Sequence, residues 1–161
     1  MDGHQTHEPI LRSIGKIFPE IKRVLEYGSG IYSTGLFLDR DVFPNLEKLD
    51  STENDCGWIT KTRERFGNDC RWLLVGDDEV DPTNEYDLVM IDSSSRESRC
   101  RTADKLIALE FPGIVVFHDT EAEWYQSSLE KFPYRYKFNQ FLPNTDVLSL
   151  REIPKLREIC V

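Results

Sequence analysis

No CxxC pair occurs among the four cysteines, Cys56, Cys70, Cys100 and Cys160, whose spacings are 14, 30 and 60 residues. Zinc-ribbon and thioredoxin-type motifs are thereby excluded, and reduced structural thiols are expected. Basic residues are in deficit, 20 Lys and Arg against 29 Asp and Glu, for a net charge of -9. A polyanion meets repulsion rather than the Lys/Arg surface that neutralises phosphates, which argues against a nucleic-acid partner. Long apolar runs are missing too: stretches such as Leu88 to Ile91 and Ile114 to Phe117 reach four residues, against the roughly 20 that span a bilayer. Met1 to His7 is neither basic nor apolar, so no secretory signal is read there and a cytoplasmic address without a membrane partner is expected. There is no repeat, low-complexity tract or Pro/Gly/Ser linker, so residues 1–161 are read as one domain. Hydrophobic residues at 39% and aromatics at 11% suffice for a packed core and exclude global disorder.

What the chain does have is alternation. Glu8-Pro9 opens a helix over 8–19, with Ile10, Leu11, Ile14 and Ile17 at helical spacing. Val24 to Tyr27 is a brief strand running into Gly28-Ser29-Gly30, and Ser33-Thr34 can cap a helix through Leu38. Strands at 46–52, 71–75, 86–91 and 114–117 then alternate with helices at 55–65, 103–109 and 122–131. The continuous apolar runs suit strands buried on both faces of a parallel sheet. Tyr134 to Phe138 and Asp146 to Leu150 alternate around a Pro143-Asn144 turn and read as an antiparallel hairpin. The expected fold is a three-layer α/β sandwich with a Rossmann-like, mostly parallel sheet and a C-terminal hairpin.

In such folds ligands bind beyond the carboxyl ends of the strands. Five carboxylates stand at those ends: Glu26, Glu53, Asp77, Asp92 and Asp119. Gly28-Ser29-Gly30 can make a tight turn that a ligand backbone approaches closely, or simply a βα turn. It is not the nicotinamide fingerprint, whose third glycine would fall at Ser33. Glu53, 23 residues after Gly30, can accept hydrogen bonds from both hydroxyls of a ribose or can cap the next helix.

Taken together, these residues resemble a class I S-adenosylmethionine-dependent methyltransferase of the small-molecule O-methyltransferase type, from about residue 7 to residue 150. Val24 to Gly30 resembles the first motif of that family, Glu53 its second-strand acid, and Gly76-Asp77-Asp78 its third motif. Tyr86 to Asp92 resembles the fourth motif, Gly113 to Thr120 the fifth strand, and Tyr134 to Leu150 the reversed terminal hairpin. The resemblance implies S-adenosyl-L-methionine as cofactor, held by Glu26, Gly28, Ser29, Gly30, Ser33, Thr34, Glu53, Trp58, Asp77 and Asp92. In this reading Glu26 and Asp92 meet the methionine ammonium, Ser29, Gly30, Ser33 and Thr34 its carboxylate, Asp77 the adenine amino group, and Trp58 the adenine face. Trp58 reads equally as a core or surface residue.

The departures from the family bear on the acceptor. The first motif's third glycine falls at Tyr32, and neither a Pro-Pro-Tyr signature nor a Pro-Cys nucleophile is present, which argues against nucleic-acid base methylation. His118, Asp119 and Asp92 are the candidate catalytic residues, with His118 as base. Asp92 and Asp119 match two acidic magnesium ligands of catechol-type O-methyltransferases, but Thr120 stands where that pattern has an amide, and no metal site is assigned. Arg96, Arg99 and Arg101 read either as a solvated loop or as a collector for an anionic acceptor. His7-Glu8 can roof the cofactor. The expected activity is methyl transfer to an oxygen, less readily a nitrogen, of a small molecule. With no separate substrate domain, recognition falls to loops or to a second subunit of a homo-oligomer. The rival from another class is a non-catalytic S-adenosylmethionine- or nucleoside-binding protein used in sensing or assembly.

Overall fold

Ile10, Leu11 and Ile14 fall on one side of a helix whose first turn holds Glu8 and Pro9, and that side is fully buried. This helix, α1 (Glu8–Ile17), opens a computed structural model that describes residues 5–77 and 80–159. Arg12 Nε donates to Glu8 Oε1 at 2.9 Å on its solvent side. Next come β1 (Arg23–Tyr27), α2 (Ser33–Leu38), β2 (Lys48–Thr52), α3 (Cys56–Phe66), β3 (Trp72–Gly76) and β4 (Leu88–Ile91). The chain closes with α4 (Arg96–Ala108), β5 (Ile114–His118), a 3-10 turn at Glu123–Tyr125 running into α5 (Gln126–Leu129), β6 (Tyr134–Phe138), β7 (Thr145–Ser149) and a 3-10 helix at Pro154–Glu158.

Seven strands form one sheet in the order β3-β2-β1-β4-β5-β7-β6. β1 to β5 run parallel, β7 pairs antiparallel to β5 and β6 antiparallel to β7. The order reverses at β1, where the chain leaves β3 on one side and re-enters at β4 on the other. That crevice is where open parallel sheets bind ligands.

Alternate residues of the apolar strands feed two cores. Val24, Leu49, Leu88, Met90, Val116 and Val147 pack with α1 and α2 on one face. Leu25, Tyr27, Val89, Ile91, Val115, Phe117 and Leu148 pack with Ala103 and Leu106 of α4 and with Tyr125 and Leu129 on the other. Burial on both faces explains why these strands read as continuous apolar runs. β2 is polar yet buried because its side chains are paired. Asp50 accepts from Tyr86 Oη and lies 2.6 Å from Lys48 Nζ, and Ser51 Oγ donates to Glu26 at 2.6 Å.

The three-layer arrangement and terminal hairpin agree with the sequence reading, with four corrections. The helix expected at 103–109 begins at Arg96. Ser95 caps it by accepting from Ser98 N, so the arginines are helical rather than a loop. Ser33 and Thr34 lie inside α2 instead of capping it; its N-cap is Tyr32, with no side-chain cap bond. The helix expected at 122–131 is broken into a 3-10 turn and a single α-turn. Cys56, Cys70 and Cys100 are free thiols, but Cys56 and Cys70 are exposed rather than structural, Cys100 is half-buried, and Cys160 lies outside the described residues. Among the described residues no helix is long and apolar enough to cross a membrane.

Candidate functional site

The turn after β1 is held from both sides. Gly28 N and Ser29 N donate to Thr52 O of β2 at 3.1 and 3.0 Å, and Asp92 N donates to Tyr27 O at 2.8 Å. Gly28 has φ 91°, and a Cβ there would lie 2.4 Å from the Asp92 carbonyl oxygen and 2.9 Å from Ser93 N. The close passage of the backbone just after β4 is by itself enough to require this glycine. Gly30 is different: a Cβ there would meet only Ser33 Oγ, at 3.5 Å. The open side of the turn is at Gly30.

Beneath the turn runs a chain of hydrogen bonds. Gly30 N donates to Thr34 Oγ1 at 3.1 Å, and Thr34 Oγ1 donates to Glu26 Oε2 at 2.7 Å. Ser51 Oγ donates to the same carboxylate oxygen and accepts from Trp72 Nε1 at 3.0 Å. Glu26 is fully buried, and burial pushes its carboxyl up to about 7 against the pull of the Ser33, Ser51 and Thr34 hydroxyls.

A cavity of about 410 Å³ opens above the ends of β1, β2, β4 and β5, a volume typical of small-molecule sites. Gly28, Ser29, Gly30 and Ser33 form its floor, Glu53 and Trp58 one wall, and Asp92, His118 and Asp119 the other. Nine of the sequence-selected residues thus converge. Glu26 and Thr34 lie beneath the floor and act through the turn, and Asp77 is exposed and outside the lining, beyond the end of β3. Asp78 lies outside the described residues.

Each wall has its own logic. Glu53 Oε1 accepts from Asn54 N and Asp55 N, both at 2.9 Å. Asp55, not Glu53, caps α3, accepting from Trp58 N at 2.9 Å. That cap fixes the first turn of α3, and Trp58 projects from it with Lys61 Nζ 4.5 Å from its ring centre.

On the facing wall His118 Nδ1 lies 3.0 Å from Asp92 Oδ1, and Thr6 Oγ1 lies 2.9 Å from His118 Nε2. Arg99 reaches from α4 to tie the group together. Its Nη1 donates to His118 O at 3.0 Å and to Asp119 Oδ2 at 2.7 Å, its Nη2 to Asp92 Oδ1 at 3.1 Å, and its Nε to Ser93 O. Arg99 is thus buried and engaged by four internal acceptors, so it is not laid open as a collector of anionic acceptors. Burial opposes ionisation of Asp92, but the His118 hydrogen bond and the charges of His118 and Arg99 prevail and hold its carboxyl below the usual range. For His118 burial is likewise outweighed, by Asp92 and then Asp119, and the imidazole is pushed up. With both ring nitrogens already engaged, His118 is less free to act as a lone base than the sequence reading supposed.

His7 takes a larger part in the site than a position at the start of the first helix implies. It is 2% exposed, lines the cavity and stands edge-on to His118 with ring centres 5.1 Å apart. Neither ring nitrogen has a hydrogen-bond partner among the described residues, and burial lowers it to about 4, so it is a neutral imidazole. The signal in the sequence was a histidine directly ahead of Glu8-Pro9, where the first helix meets the ligand edge of the sheet. The catechol-type magnesium pattern does not fit. Thr120 Oγ1 donates to Asp146 Oδ1 at 2.9 Å, Asp146 is held by Arg135, and the Arg99 guanidinium bridges Asp92 and Asp119.

No protein-family model matches the chain, and no curated protein matches it. Solved structures do. A spermidine synthase from Thermotoga maritima is similar at a TM-score of 0.66 and 20% identity, over 93% of this chain and 61% of that one. Human methyltransferase-like protein 13, in complex with SAH (S-adenosylhomocysteine), matches at 0.61 and 21%, covering 96% of this chain and 86% of that one. An SAH-bound methyltransferase of Podospora anserina matches at 0.67 and 13%, covering 89% and 76%. The chain spans about three-fifths of the length of the spermidine synthase it matches. At these identities the likeness is one of fold: the chain has the class I S-adenosylmethionine-dependent methyltransferase fold.

Proposed function

We propose that this chain binds S-adenosylmethionine and transfers its methyl group to an oxygen of a small-molecule acceptor. The observation that carries the reading is the placement of the Gly-Ser-Gly turn and a buried imidazole–carboxylate pair on one cavity at the sheet's switch point. The donor supplies an electrophilic methyl on a positively charged sulfur. Ser29 Oγ, buried without a partner among the described residues, and the open flank of Gly30 suit the donor's polar end. Glu53 accepts the ribose hydroxyls, and Trp58 covers the adenine.

The acceptor oxygen must be held in line with the methyl at near-attack distance. As it attacks, the carbon–sulfur bond breaks, the electron pair stays on sulfur and S-adenosylhomocysteine forms. The hydroxyl proton passes to the His118 imidazole, whose resulting positive charge the Asp92 and Asp119 carboxylates stabilise. Single-domain organisation over 1–161 belongs to this proposal, as do the acceptor class and any homo-oligomer. Calorimetry with S-adenosylhomocysteine and, separately, NAD tests it. Binding of the first and not the second is expected, whereas preference for NAD would overturn the reading. Turnover by His118→Ala at the wild-type rate on an accepted substrate would overturn the part given to the acidic wall.

A further inference from the structure

We propose that His7, Asp92 and His118 bind a divalent transition-metal ion at the acceptor end of the cavity. The ion's use in catalysis rests on the methyl-transfer reading, but its binding does not and is measured without donor or acceptor.

One nitrogen from each histidine and one oxygen of Asp92 lie within 4.8 Å of one another. Around a tetrahedral zinc-type ion with bonds of roughly 2.0–2.2 Å, ligand atoms stand about 3.3 to 3.6 Å apart. Small rotations of the three side chains close that gap.

The second observation is His7 itself. A buried imidazole whose two nitrogens both lack partners is exceptional, because leaving such groups unsatisfied costs about 1 to 3 kcal/mol each. An ion held by one of those nitrogens removes part of that cost. His118 is already arranged for the same task. Its Nδ1 faces Asp92 and its Nε2 faces the Thr6 hydroxyl. When Nδ1 takes an ion, the ring proton sits on Nε2 and Thr6 Oγ1 accepts it. Such a partner on the far nitrogen orients metal-binding histidines generally.

The donor set also selects the ion. A magnesium site needs oxygen ligands around an octahedron, and here Arg99 occupies Asp92 and Asp119 while Thr120 is spent on Asp146. The nearby guanidinium weakens simple charge attraction, so the affinity must come from the imidazoles. Two imidazoles and one carboxylate favour zinc, cobalt, nickel or iron over magnesium. All three residues line the cavity, so coordination positions remain open on the side where an acceptor oxygen would bind, as in catalytic rather than structural metal sites.

The test is titration of Zn²⁺ and Co²⁺ into the metal-stripped full chain, read by calorimetry, elemental analysis and the visible Co²⁺ spectrum. One ion per chain is expected, with no thiolate band, at least tenfold weaker binding in His7→Ala and in His118→Ala, and no comparable binding of Mg²⁺. The same stoichiometry should persist in a Cys56→Ser, Cys70→Ser variant, which removes the exposed thiols among the described residues. Absence of a stoichiometric ion, equal affinity in His7→Ala, or loss of binding in the cysteine variant would overturn the proposal. S-adenosylhomocysteine affinity and thermal melting of His7→Ala report separately whether the fold and donor site are intact. An ion that binds as described to a chain without affinity for S-adenosylhomocysteine would sink the methyl-transfer reading and leave the metal site standing.

Discussion

Arg99 Nη1 lies 2.7 Å from Asp119 Oδ2, and Asp119 holds a left-handed backbone with φ 63°. Only one other non-glycine residue among those described, Glu110, has a positive φ. An aspartate tolerates this conformation better than most residues, and here the guanidinium also grips the preceding carbonyl, that of His118. The ends of β4 and β5 are thereby fixed to α4 by a single side chain.

Arg99→Met should therefore destabilise the protein by about 3 kcal/mol, because it strands two carboxylates that share the guanidinium. Arg99→Lys should fall between, since an ammonium cannot fork across Asp92 and Asp119. Urea denaturation measures both; a loss below about 1 kcal/mol in Arg99→Met, the range of exposed ion pairs, would contradict the role described.

The two glycines of the first turn should separate stability from binding. Gly28→Ala places its Cβ against the Asp92 backbone at positive φ, a strain of about 1 to 3 kcal/mol or more. In Gly30→Ala the Cβ meets only Ser33 Oγ, at an ordinary contact distance of 3.5 Å, so the variant should melt close to wild type, yet bind S-adenosylhomocysteine at least tenfold more weakly. Thermal melts beside calorimetry decide it, and unimpaired binding in Gly30→Ala would remove that flank from the ligand site.

Removing the Glu53 carboxylate should weaken S-adenosylhomocysteine binding by about 1.5 to 3 kcal/mol, the range for hydrogen bonds to a charged group, or roughly ten- to a hundredfold. Because Glu53 also accepts from Asn54 N and Asp55 N, Glu53→Gln serves beside Glu53→Ala: an amide oxygen keeps the turn while the charge is lost. Wild-type affinity in both variants would end the ribose assignment.

Glu26 gives stability a defined pH dependence. Its carboxyl moves from 4.5 in the unfolded chain to about 7 in the fold, chiefly through burial. The folded state binds that proton more tightly, so its contribution is fully present below 4.5 and is lost as pH rises through 7, by about 3 kcal/mol. Glu26→Gln should flatten that part of the profile. Denaturation at intervals from pH 4.5 to 8 reads the difference, and parallel profiles would show that Glu26 does not titrate as described.

The parallel strands were legible because Leu88 to Ile91 and Ile114 to Phe117 are short β-branched-rich apolar runs bounded by polar and turn residues, which suits a strand buried on both faces. The cavity floor was legible because a tight turn at a strand end leaves few alternatives to glycine. The start of α4 was not, since Arg96 to Arg101 has no apolar periodicity and its helix is set by the Ser95 cap and by Arg99 reaching inward. Nor was the pairing of Thr6 with His118, 112 residues apart, because only the docking of α1 brings them together. Asp55 displaced Glu53 as the cap for a local reason: its β-region backbone points the side chain back at Trp58 N.

The reversal of strand order at β1 has a consequence for what binding accomplishes. β3, β2 and β1 come from one contiguous stretch of chain, and β4, β5, β7 and β6 from the next, so the sheet has one seam, β1 against β4, that joins the two stretches. Gly28, Ser29, Gly30, Glu53 and Trp58 lie on the first side of that seam, and Asp92, His118 and Asp119 on the second. A molecule filling the cavity is therefore a tie between chain halves. Its binding free energy adds to their union rather than to either alone, and amides on both sides should be shielded from exchange together when it is present.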